Sequence, residues 1–236
     1  MRDERQTLDR AISLHNKGNA AAAAKLYRRI ITANPGNLDA LHFLGVAEAA
    51  AGNIDRARSL LDRSLQSDRI NLQFIENYAA ILHRAGDHEG LIKLCQSGLQ
   101  FAPTSAVLLH ANAAGFLAQG RHAEAIRQLT LLVAHHPGHF PGHFMLGSAL
   151  AKTRQHDAAL ISYDRALQLN PQLAEAHLDK GTIHLAERRP AAALAAYDHA
   201  LAARPKFADA WLGRGYALIQ LRRHGDALIA IDKALA

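Results

Sequence analysis

The chain has 236 residues, 49% of them hydrophobic, with 27 lysines and arginines against 21 acids, so it carries +6 before any of its 15 histidines is protonated. That hydrophobic content excludes a disordered chain, and no apolar run approaches the ~20 residues needed to cross a bilayer. The single cysteine, Cys95, excludes an internal disulfide framework and a cysteine-rich zinc site. Alanine is abundant while aromatic residues make up only 6%, a balance that favours closely packed helices over sheets.

Prolines reveal the organisation. Pro35, Pro103, Pro137, Pro171 and Pro205 fall on one 34-residue lattice, with Arg69 in the vacant place and only Pro141 and Pro190 off it. A fixed period in this range marks a solenoid of small supersecondary units. The frame divides residues 4–236 into repeats 4–37, 38–71, 72–105, 106–139, 140–173, 174–207 and 208–236. Each repeat is expected to hold a helix A of about 14 residues, a turn, and a helix B that ends at the proline, which lacks an N–H and restricts its predecessor. The turn residue is glycine in the first four repeats (Gly18, Gly52, Gly86, Gly120) and arginine in the last three (Arg154, Arg188, Arg222).

Further columns support the frame. One on helix A is small throughout: Ala11, Gly45, Ala79, Ala113, Gly147, Gly181, Gly215. One on helix B is small in six of seven repeats: Ala23, Ala57, Leu91, Ala125, Ala159, Ala193, Ala227. Beside it runs a large column, Tyr27, Leu61, Cys95, Leu129, Tyr163, Tyr197, Ile231. Small residues on both helices let the backbones approach, and the large column fills the space beside them. No such hairpin buries its apolar face alone, so the hairpins must stack.

These columns and the period resemble the tetratricopeptide-repeat family over nearly the whole chain; Trp211-Leu212-Gly213-Arg214-Gly215-Tyr216 is a good match to the family's helix A. The resemblance implies an all-α solenoid of about seven helix-turn-helix repeats in a right-handed superhelix, with helix A residues lining the concave side. Candidate partner-binding residues are then His42, Phe43, Asn77, His110, Phe144, Met145, Leu178, Asp179, Leu212 and Tyr216. The groove is mixed at first and apolar toward the C-terminal half, suited to a peptide or a partner helix. The carboxylate clamp of chaperone adaptors needs Lys and Asn in successive columns, and a lone Asn77 does not supply it. The asparagine ladder of O-linked N-acetylglucosamine transferases is also poorly matched, since its column reads Asp9, Phe43, Asn77, Ala111, Met145, Asp179, Gly213.

Histidines and arginines form the remaining patterns. His88, His122, His156 and His224 share a column, but residues one repeat apart lie too far apart for a common metal at about 2 Å. His135, His136, His139 and His143 are broken by Pro137, Gly138 and Pro141, so no metal site is expected there. Arg121, Arg154, Arg188, Arg189, Arg222 and Arg223 all fall in the A-to-B turns and are expected to form a basic edge, either simply solvated or facing an acidic partner or a nucleic-acid backbone. No aromatic ladder accompanies them, so nucleic acid is not favoured.

No phosphate loop, HExxH, GxSxG or Cys-His signature is present, and Cys95 sits in an apolar column. The expectation is a cytoplasmic, non-catalytic protein-interaction scaffold without cofactor, metal or membrane partner. Two alternatives stand beside it. One is the recognition superhelix of a glycosyltransferase-type enzyme; the other is self-association through the last repeat, whose outer face is expected to be bare after Ala236.

Overall fold

The computed structural model describes residues 2–66 and 71–235; Arg69 and Ala236 lie outside them. Among the described residues there are fourteen α-helices and no strand. The chain forms two compact units, residues 1–115 and 116–236. The first holds α1 (Arg2–Asn16), α2 (Ala20–Ala33), α3 (Leu38–Ala50), α4 (Ile54–Ser64), α5 (Leu72–Ala85), α6 (His88–Leu99) and most of α7 (Ala106–Ala118). The second holds α8 (His122–His135), α9 (Phe140–Lys152), α10 (His156–Leu169), α11 (Ala174–Ala186), α12 (Pro190–Ala203), α13 (Ala208–Gln220) and α14 (His224–Leu235).

Within each unit the helices pair as antiparallel hairpins, and each hairpin packs on the next. In the first unit α1 pairs with α2, α3 with α4 and α5 with α6; in the second α9 pairs with α10, α11 with α12 and α13 with α14. Local chemistry sets the boundaries. The lattice prolines follow the ends of α2, α6, α8, α10 and α12. Side-chain caps open the next helix: Asn37 accepts from the Ala40 N–H at 2.8 Å, and His139 Nδ1 from the Gly142 N–H at 3.0 Å. The off-lattice prolines start helices instead, Pro141 in the first turn of α9 and Pro190 at the first residue of α12, where the missing N–H has no helical partner to lose.

All seven A-to-B turns close the same way. Just past the end of helix A an N–H reaches a carbonyl five residues back, as in Asn53 to Glu48 (2.9 Å), Gln155 to Leu150 (2.9 Å) and Arg189 to His184 (2.8 Å). This Schellman bond needs a left-handed residue just before it. Glycine supplies it four times, but Arg154, Arg188 and Arg222 hold φ of 61°, 58° and 59°. A side chain in that conformation costs about 1–2 kcal/mol.

The core lies between the two helices of each hairpin. Tyr27, Leu61, Cys95, Leu129, Tyr163 and Tyr197 are all buried, and the small columns sit against them. Tyr197 shows why small residues are required. A Cβ on Gly181 of α11 would stand 2.6 Å from its ring, and one on Gly213 of α13 would stand 2.5 Å from it. The ring thus occupies the volume of two missing side chains, one on its own hairpin and one on the next. Burying such a ring contributes about 2–3 kcal/mol, and the fit leaves no slack.

Gly181→Ala should therefore destabilise the protein by about 1–3 kcal/mol in urea denaturation. Gly138→Ala, with nothing within 4 Å of the added carbon, should stay within about 0.5 kcal/mol of wild type. Equal midpoints for the two variants would contradict this account of the Tyr197 contact.

Candidate functional site

The first unit turns its expected binding residues inward. His42 on α3 has no exposed surface, because its ring stacks on Phe74 of α5 with centroids 3.7 Å apart and planes 1° from parallel. Its Nε2 lies 3.1 Å from the Asn77 amide nitrogen, so Nε2 accepts. The Asn77 amide oxygen accepts from Gln73 at 3.0 Å. Phe43 is half-buried and stacks on Tyr27 at 5.9 Å. The aromatic row thus belongs largely to the packing between hairpins, which corrects the expectation that His42 lies open to a ligand. His110 on α7 is half-buried.

A cavity of about 510 Å³ in the same unit went unnoticed in the sequence, because its residues come from α4, α5 and α6 without a motif. Its polar groups mostly satisfy one another. The Tyr78 hydroxyl donates to Asp62 Oδ1 at 2.9 Å, and Arg58 pairs with Asp87 at 2.7 Å.

In the second unit the face of the A helices is more open. A cavity of about 320 Å³ is lined by Ser148 and Lys152 of α9, His156 and Tyr163 of α10, and Asp179 and Thr182 of α11. The Tyr163 hydroxyl lies 3.0 Å from Asp179 Oδ2 and 3.2 Å from Ser148 Oγ, so it can donate to the carboxylate and accept from the serine. Burial lifts the Asp179 carboxyl above the ordinary carboxylate range, and the Tyr163 hydrogen bond and the Lys152 charge pull it partly back. Phe144 and Met145 are half-buried on α9, with the Phe144 ring 5.9 Å from Tyr163. Leu178 packs into the cluster around Tyr197.

Exposed apolar surface on the A helices of this unit gathers on α13. Leu212, Tyr216 and Ile219 are 38%, 50% and 43% exposed. Steps of four and three residues put them on one helical face, and Tyr216 stands in register with Ser148 and Thr182. Ile219, a helix A residue of the seventh repeat, completes the row.

The six turn arginines divide into two sets. Arg121 pairs with Glu124 at 2.9 Å and lies over the Phe116 ring; Arg189 pairs with Glu187 at 3.1 Å and Arg223 with Asp226 at 2.6 Å. Arg154, Arg188 and Arg222 are exposed. Elsewhere, His139 caps α9 and His143 Nε2 lies 3.0 Å from the Pro137 carbonyl, so both rings serve the local fold. Among the described residues no three His, Cys, Asp or Glu gather as metal ligands, and no helix is long and apolar enough to cross a membrane. Cys95 is buried, and desolvation pushes its thiol up to about 12, away from thiolate chemistry.

Paired helices closed by left-handed turns, with small-against-large packing and an open row of A helices, define a helical-repeat protein. The tetratricopeptide-repeat profile matches residues 110–174 and 178–236, and a second profile of the same description matches 14–73. The chain belongs to the tetratricopeptide-repeat family. Among solved structures it is similar to PilF of Pseudomonas aeruginosa, with TM-score 0.68 and 17% identity over 93% of this chain and 97% of that one. It is also similar to MamA, with TM-score 0.66 and 22% identity over 70% and 90% of the two chains. A third is YrrB, described as a TPR protein with an unusual peptide-binding site, with TM-score 0.65 and 20% identity over 74% and 90%. No curated protein matches the chain in sequence. At these identities the solved structures establish the fold.

Burial holds His42 neutral, with its pKa lowered to about 4. In the unfolded chain it titrates near 6.5, so the unfolded state takes up a proton first as pH falls. The stability due to neutral His42 is whole above pH 6.5 and is lost between there and about 4. His42→Phe, which keeps the stack on Phe74, should reduce the loss of unfolding free energy between pH 7 and 4.5 by on the order of 2 kcal/mol. Urea titrations at both pH values measure this; the same pH slope in both proteins would place the acid sensitivity elsewhere.

Proposed function

We propose that this chain is a non-catalytic protein-interaction scaffold whose residues 4–236 form one array of seven hairpin repeats, and that it takes a peptide or helix of a partner protein along the open face of its A helices. The row Leu212, Tyr216 and Ile219 on α13 carries the reading, because three large apolar side chains on one face stay in water rather than in the core. A partner segment with apolar anchors would cover them. Phe144, Met145 and Asp179 border the same face in the second unit, and Phe43, Asn77 and His110 are the corresponding contacts proposed in the first. The Asp179–Tyr163–Ser148 group would orient a polar group of the partner. No cofactor enters this reading.

The glycosyltransferase alternative has little behind it, since its asparagine column is nearly empty and none of the relatives named above points to it. Self-association through the last repeat keeps one observation in its favour, the exposure of Leu228 and Ile229 on α14.

Peptides selected from a random library on the immobilised wild-type protein should bind Tyr216→Asp at least about tenfold more weakly, a loss of about 1.4 kcal/mol, with helicity unchanged by circular dichroism. Undiminished affinity across the selected set would exclude the α13 face.

A further inference from the structure

Three arginines of the second unit hold a backbone conformation that disfavours any side chain. Arg154, Arg188 and Arg222 are the left-handed residues of successive A-to-B turns, in register with Gly18, Gly52, Gly86 and Gly120. Glycine fits that position without strain, and asparagine tolerates it better than arginine does. Each of the three guanidinium groups is exposed, and none makes a hydrogen bond or ion pair among the described residues. The arginines that follow two of them, Arg189 and Arg223, are already neutralised by Glu187 and Asp226. Asp157, the nearby acid at the start of α10, forms no ion pair.

The residue after the left-handed position caps the next helix at two glycine turns, though not at Asn53 or Arg121, and at neither Arg154 nor Arg188. In the first unit Asn19 and Asp87 accept the first-turn N–H groups of α2 and α6. In the second, Gln155 and Arg189 make no side-chain cap on α10 and α12. The open N–H groups there add partial positive charge just behind Arg154 and Arg188.

We propose that this edge of the second unit binds an extended acidic stretch of polypeptide, through Arg154, Arg188 and Arg222. Guanidinium groups pair with carboxylates in a planar, two-pronged geometry. Packed helices lie about 8–10 Å apart, and an extended chain advances about 10 Å in three residues, so acids at every third position meet successive turns. The three turns carry no Phe, Tyr or Trp on which bases could stack, which separates this surface from a single-stranded nucleic-acid groove. It is also separate from the groove proposed above, lying in the turns rather than along the A helices.

The test is the triple variant Arg154→Gly, Arg188→Gly and Arg222→Gly, which gives these turns the residue the first four already use. It should melt a few degrees above wild type, since the strain is gone. Its affinity for fluorescently labelled poly-L-glutamate, by anisotropy at low salt, should fall at least about tenfold. A control of equal charge, Arg127→Gln, Arg165→Gln and Lys206→Gln, should stay within about twofold of wild type. Three outcomes overturn the proposal: no binding of poly-L-glutamate by wild type, an equal loss in the control, or tighter binding of single-stranded oligothymidylate that the glycine variant abolishes.

Discussion

Everything in this molecule depends on a close approach between two helices of a hairpin. A large side chain of helix B lies where helix A has glycine or alanine, and Tyr197 against Gly181 is the tightest expression of it. Because the ring fills the space that a Cβ would occupy, the two backbones have one separation at which they pack. The same ring touches Gly213 of the next hairpin, so this contact within a pair also sets the contact between pairs. Dispersion falls off steeply with separation, and a gap or an overlap of less than 1 Å is felt at once.

That packing consumes one face of each A helix and leaves another free. What the free face does differs between the units. In the first, His42, Phe74, Phe43 and Tyr27 lean on one another, and the surface closes over with aromatic contacts. In the second, α9, α10 and α11 enclose a cavity of mixed lining beside Asp179, and α13 presents a partly exposed apolar row. Along the chain the left-handed turn residue changes from glycine (Gly18, Gly52, Gly86, Gly120) to arginine (Arg154, Arg188, Arg222).

The helix boundaries and the buried columns were legible in the sequence because they follow from local rules repeated at a fixed interval. Prolines stop helices, left-handed turns want glycine, and Ala159 or Ala193 faces its neighbour at helical spacing. Residues on the open face obey no such rule. Leu178 and Leu212 occupy the same column, yet Leu178 packs into the Tyr197 cluster while Leu212 stays 38% exposed. Leu178 meets the cluster that Tyr197, Ala200 and Ala210 form, a set of neighbours its own column does not specify. His42 is the same lesson in reverse: its column places it on the open face, and Phe74 from the next hairpin closes it off.

The sequence by itself determined that the chain folds as tetratricopeptide hairpins, because period, proline placement and small columns are properties of one strand of text read against one helix geometry. Only the tertiary structure decided which polar groups are spent on each other and which are left over. Burying His42 under Phe74, or joining Asp62 to Tyr78 and Asp179 to Tyr163, depends on distances between residues far apart in the chain. Those distances are set by the packing of one ring against two glycines, repeated with different side chains from one hairpin to the next.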